Sequence, residues 1–162
     1  MVNDEKDALL AVLNAQREHV LGALDGLSEG DLWRPVLPSG WTALGMVRHL
    51  ALDVERFWFR AVVAGEPLTL TSGDEAWRVP VDVPGAAIRA LYRDEIAKAN
   101  AIIETTPIDA MPAWWPDFFP GLPPRPLRET LLHVITETAT HAGHLDAARE
   151  LIDGAQWLIL TE

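Results

Sequence analysis

The segment from Pro126 to Ile152 constrains the fold more than any other stretch. Leu131, Val134, Ile135, Ala142 and Leu145 recur at spacings of about three and four, with no internal proline. That period predicts one long amphipathic helix, stopped by Gly154 as the C′ residue. Within it lies HVITETATHAGHLD, which holds three of the chain's five histidines. At roughly 100° per residue, Glu137, His141 and His144 fall within an arc of about 60°, on the shoulder of the apolar stripe. A carboxylate and two imidazoles converging between core and solvent suit a metal ion.

A helix this long must bury its stripe against others, and three further segments have the pattern to pair with it. From Asp4 to Asp25, Leu9, Leu10, Leu13, Val20, Leu21 and Leu24 give a helical period, with Gly26 as its stop. His19 has no partner nearby in sequence, and its pattern position is that of an exposed histidine. A Pro- and Gly-containing connector, Leu27 to Gly40, follows. The second helix begins at Thr42, a good N-cap, with Trp41 placed to staple onto Met46. It runs to about Ala64, stops at Gly65, and carries Leu44, Val47, Ala51, Val54, Trp58 and Val62 as its stripe. Glu66 to Val83 reads as a loop. The third helix starts at Pro84 and runs to about Thr105. Pro107 to Arg125 is a second long loop, with four aromatics in WWPDFF. The tail from Gln156 to Leu160 is short and apolar, a strand or an extended segment. Four amphipathic helices without a convincing strand predict an all-α four-helix bundle of one domain, with long loops between helices 2 and 3 and between helices 3 and 4.

Composition narrows the chemistry. The chain has 162 residues, enough for a substantial core, and 49% of them are hydrophobic. A net charge of −11 opposes binding to a polyphosphate backbone, so nucleic acid is not an expected partner. There is no cysteine, which excludes disulfides, a protein thiolate nucleophile and a Cys-ligated metal. Sulfur chemistry here would need sulfur from a ligand. No apolar run reaches the ~20 residues of a membrane span, and MVNDEKDALL lacks the features of a signal peptide. The expected location is the cytoplasm, with no membrane partner. Seven tryptophans stand against one tyrosine. Trp33, Trp41, Trp77, Trp114 and Trp115 lie in or beside loops, where they pack or wall a ligand pocket.

His49 in the second helix is the natural source of a third ligand. On an ideal wheel it lies nearly opposite the main stripe, beside Asp53, Arg56 and Arg60, which is equally the pattern of a solvated histidine. Asp53, one turn on, can accept a hydrogen bond from the imidazole, as carboxylates do for metal-bound histidines. Glu137 and His141 are spaced i, i+4, so both can reach one ion, and zinc, nickel, iron(II) or cobalt suit such donors. A hydrogen-bonded polar stripe at a helix contact is the plain alternative. HExxH is absent, which excludes the common metalloprotease motif. His133 is two turns from His141, roughly 12 Å, and reads as a group behind a ligand or as a packing residue. Arg56 and Arg60 have the position to hold a substrate carboxylate or to pair with Asp53.

SGWTALGMVRHLALDVERFWF and LRETLLHVITETATHAGHLDAARELIDG resemble the DinB/YfiT-like superfamily, particularly its mini-DinB branch. The resemblance runs from the first helix to Gly154. It implies an up-down-down-up bundle with a divalent metal near one end. The triad it implies is His49, Glu137 and His141, and the Glu-x-x-x-His pair is similar to that of the mycothiol-dependent maleylpyruvate isomerases. His144 departs from the glutamine of many relatives, which leaves it as a fourth ligand, a general base or a group behind a ligand. The implied activity is metal-dependent chemistry of a low-molecular-weight thiol, mycothiol or bacillithiol, with a small electrophile. In that chemistry zinc or nickel is the expected metal, His144 the catalytic proton carrier, and a homodimer a possible assembly. The alternatives are a metal-dependent hydrolase and a non-catalytic metal-binding bundle linked to stress.

Overall fold

The computed structural model describes residues 2–119 and 121–157, whose regular elements are all helical with no strand among them. Helix α1 is Val2–Gly22 and the one-turn α2 is Glu29–Leu32. Helix α3, Ala43–His49, continues without a break into a π-helical segment, Leu50–Val63. A 3-10 turn, Glu75–Trp77, interrupts the following loop. Helices α4, Gly85–Thr105, and α5, Leu127–Asp153, complete the described elements. No described helix is long and apolar enough to cross a membrane.

The ends follow local chemistry. Thr42 caps α3, its hydroxyl accepting from the Gly45 amide at 3.0 Å. Gly154 ends α5 in the left-handed region at φ 77°. Pro84 and Pro126 stand just before α4 and α5 as extended N-caps, one position earlier than a first-turn proline. Helix α1 ends at Gly22, short of the expected Asp25, and its chain leaves through tight turns. The expected featureless connector holds α2, which Ser28 caps by accepting from the Asp31 amide. Most of the 156–160 tail lies outside the described residues.

The long helices share one core. Leu13 and Val20 of α1 meet Leu44, Leu50 and Phe59 of the α3–π unit, Tyr92 and Ile103 of α4, and Leu131 and Val134 of α5. The π segment changes the geometry that an ideal wheel assumes. Hydrogen bonds five residues apart, as from the Ala64 amide to the Phe59 carbonyl at 3.0 Å, widen its turns. Ten of its fourteen residues are buried, so it has no broad solvent face for His49 to share.

Charges cross this core in pairs. Arg17 donates to both carboxylate oxygens of fully buried Glu55, at 2.7 and 2.6 Å, and also to Asn14 and Asn100. Burial pushes the Glu55 carboxyl up, and Arg17 opposes that shift. Glu95, also fully buried, accepts from Arg56 at 2.7 Å and from Arg60 at 3.1 Å.

Candidate metal and thiol site

His49 ends α3, while Glu137 and His141 lie one turn apart on α5. Their ligand atoms, one per residue, all lie within 4.8 Å of one another. The α5 pair already has coordination spacing. Two ligands on a tetrahedral ion with bonds of about 2.1 Å stand roughly 3.4 Å apart, and His141 Nε2 lies 3.5 Å from a Glu137 oxygen. Two imidazoles and a carboxylate form an ordinary donor set for zinc or nickel.

The outer nitrogens of both imidazoles are engaged. His49 Nδ1 meets Asp53 Oδ2 at 2.8 Å. A carboxylate there selects the tautomer protonated at Nδ1 and leaves the Nε2 lone pair for an ion. Thr71 in turn donates its hydroxyl to the other Asp53 oxygen. His141 Nδ1 faces His144 Nδ1 at 3.4 Å, so His144 stands behind His141. Burial, followed by the neighbouring His49, holds the His141 pKa below its usual value and favours a neutral imidazole.

Trp77 covers the cluster. Its ring stacks on His49 at 4.2 Å with an interplanar angle of 17°, and meets His141 edge-on at 5.8 Å. The 3-10 turn that carries it is docked on α3 by two residues. Arg48 donates to the carbonyls of Glu75, Ala76 and Arg78. Gly45 lets the turn approach so closely that a Cβ there would lie 2.6 Å from the Trp77 carbonyl oxygen. Trp41 lies 6.3 Å from His144. Between Trp41 and Trp77 opens a cavity of about 390 Å³ with polar Ser39, Thr42, Asp74 and Arg78 on its wall.

The structure brings together His49, Asp53, Glu137, His141 and His144. It does not bring Arg56 and Arg60 to them. Those guanidinium groups are committed to Glu95, and Arg60 also to Glu66 at 2.8 Å, rather than to Asp53 or an open site. A buried carboxylate on the neighbouring helix draws them inward, and sequence spacing within one helix cannot reveal it. His19 is likewise not an exposed lone histidine. It meets Asp146 at 2.8 Å and stacks on Trp157 at 5.0 Å. Gly45, Arg48 and Thr71 were invisible as site residues, whereas Trp77 was among the loop tryptophans expected to pack or to wall a pocket. Only Trp77 carried a signal, as a large aromatic inside a Pro- and Gly-containing loop.

A family model described as mycothiol S-transferase matches residues 8–154. The chain belongs to the mycothiol S-transferase family. It is thereby a member of the DinB-like superfamily, as the two quoted segments suggested. No individually curated protein matches it. The matched span includes both helices that carry the cluster, and the all-helical architecture is consistent with a DinB-like bundle.

Proposed function

We propose that this protein is a divalent-metal-dependent thiol S-transferase that joins mycothiol, or a bacillithiol-like thiol, to a small electrophile. One observation carries the proposal: His49, Glu137 and His141 converge in a chain of this family that has no cysteine of its own. His49 Nε2, a Glu137 oxygen and His141 Nε2 would hold the ion, with zinc or nickel favoured. Such an ion binds a thiol sulfur and lowers its pKa, so that the thiolate prevails near neutral pH.

The chain's own residues do the rest. Asp53 fixes the His49 ring, and Thr71 fixes Asp53. Trp77 shields one side of the cluster from water and thereby strengthens its electrostatics. The polar cavity between Trp41 and Trp77 suits the sugar-like body of mycothiol, because polyols hydrogen-bond to its rim and lay their C–H faces on indole. His144 is exposed beside that cavity and accepts the thiol proton. The sulfur then forms a bond to the electrophilic carbon as the leaving group departs with its electron pair. A cytoplasmic location suits a reduced thiol cosubstrate.

The test is conjugation of mycothiol to a panel of electrophiles by protein loaded with zinc or nickel. Turnover is expected to require both metal and thiol, and His144→Gln is expected to lower kcat with little change in KM. Absence of thiol-dependent turnover across the panel overturns the proposal. Metal-dependent ester or lactone hydrolysis without thiol would instead establish a hydrolase.

A further inference from the structure

Helix α5 lines up more than the cluster. His133, Glu137, His141 and His144 follow one another at steps of four, four and three residues. The polar Trp41–Trp77 cavity lies at the His144 end of this row. At the His133 end, one turn or about 6 Å before Glu137, lies a second cavity of about 250 Å³. Its walls are more apolar and more aromatic. Trp58 and Phe119 stack at 5.9 Å, His133 meets Trp58 edge-on at 4.6 Å, and Trp115 and Leu122 close the loop side.

From this arrangement we propose that the aromatic cavity is the electrophile's pocket and that the electrophile is an apolar, ring-bearing molecule. The proposal rests on the transferase assignment above and adds the second substrate's class and place. An apolar cavity of about 150 Å³ accepts benzene, so 250 Å³ accommodates a substituted ring. The cavity is built rather than incidental: the Trp115 indole N–H donates to the Leu122 carbonyl at 3.0 Å and ties together the two residues that wall its loop side. Charge does not compete for the space. Burial holds the His133 pKa below its usual value, which favours an uncharged ring. At the rim Arg125 and Glu129 face each other at 3.7 Å, both about half exposed, and their charges offset. Nearby Phe118 and Leu122 are 56% and 48% exposed, an apolar approach to the cavity on the same loop. The cluster thus lies between a cavity of mixed polar and indole walls fit for the thiol's body and a more apolar one fit for a ring, with the sulfur and the carbon it attacks meeting near Glu137.

Two measurements test this, with Leu122→Glu and Trp115→Ala as variants in the exposed loop. First, metal-loaded protein without thiol is titrated with 2,4-dinitroaniline, an unreactive ring that quenches tryptophan fluorescence. The native chain is expected to bind it, and both variants to bind about tenfold more weakly, the loss of roughly one good aromatic contact. Second, mycothiol conjugation is compared between 1-chloro-2,4-dinitrobenzene and iodoacetamide. In the first reaction the thiol sulfur bonds to the ring carbon, the C–Cl bond breaks, chloride leaves with the electron pair, and the thiol proton passes to His144 and then solvent. The KM for chlorodinitrobenzene should rise about tenfold in both variants, while the KM values for iodoacetamide and mycothiol stay unchanged. Failure of the native chain to bind dinitroaniline, or equal binding by all three proteins, overturns the proposal. So does a matching rise in the mycothiol KM, which would place the thiol in this cavity. If no electrophile is conjugated at all, the transferase assignment falls, while the dinitroaniline titration still decides the cavity.

Discussion

Two helical glycines provide a sharp test of how the Trp77 turn is held over the cluster. Gly45 lies in the first turn of α3, and Gly143 lies within α5. By propensity alone, replacing either with alanine stabilises by up to about 1 kcal/mol. Their surroundings differ. A Cβ at Gly143 would meet nothing within 4 Å, whereas one at Gly45 would lie 2.6 Å from the Trp77 carbonyl oxygen. Carbon and oxygen do not approach that closely, so the turn must withdraw by roughly half an ångström or more. The carbonyl cannot swing aside freely, because Arg48 grips the Ala76 and Arg78 carbonyls on either side at 3.0 and 3.1 Å. Overpacking of this kind costs about 1–3 kcal/mol, which exceeds the propensity gain.

Gly143→Ala should therefore stabilise by about 0.5–1 kcal/mol, and Gly45→Ala should destabilise by roughly 0–2 kcal/mol. The gap between them, about 1–3 kcal/mol, isolates the contact from propensity. Urea unfolding followed by circular dichroism measures both, with equal m-values as the check on two-state behaviour. In a chain of this size the gap separates the melting temperatures by roughly 2–10 °C. Two variants with the same shift would refute the close approach of the turn to α3, and with it the placement of Trp77 on His49.

Other consequences concern the core, the ligands and pH. Arg17→Met strands the fully buried Glu55 carboxylate and should cost about 3–5 kcal/mol in urea unfolding; a loss below about 1 kcal/mol would show that the pair is not buried as described. Asp53→Ala removes the partner of His49 Nδ1 and should weaken zinc binding about 10–100-fold in a chelator competition assay, whereas unchanged affinity would remove Asp53 from the site. Burial lowers the His133 pKa in the folded chain, so below the ordinary value of 6.5 the unfolded chain takes up a proton that the folded one resists. Its contribution is present above pH 6.5 and lost as pH falls below it, so His133→Gln should flatten the decline in stability as pH falls below about 6.5. An identical decline in the variant would count against a half-buried His133 that resists protonation.

How much of this was legible beforehand differs between fold and site, for physical reasons. Helix boundaries are set by nearby residues. Thr42, Gly65 and Gly154 marked starts and stops that the structure keeps to within a residue or so, because caps and left-handed stops act over a single turn. The convergence of Glu137 and His141 follows from their spacing on one helix. The joining of His49 to them was only half legible: Asp53 one turn on made it a candidate ligand, but an ideal wheel turned His49 away from the core and left a solvated histidine equally open. That wheel fails from Leu50 onward, where five-residue hydrogen bonds widen the turns.

What the sequence determined by itself is therefore what short-range chemistry controls: an all-helical chain, its helix ends, a cysteine-free composition that leaves any sulfur to a ligand, and two candidate ligands one turn apart. What the tertiary structure decided is every relation across helices. Glu95 drew Arg56 and Arg60 away from the site, Asp146 and Trp157 took His19, and Gly45 with Arg48 drew Trp77 down onto His49. Side chains from distant segments meet only when packing has fixed the distances between their backbones. A buried carboxylate or a close backbone approach then claims partners that no spacing along the chain foretells.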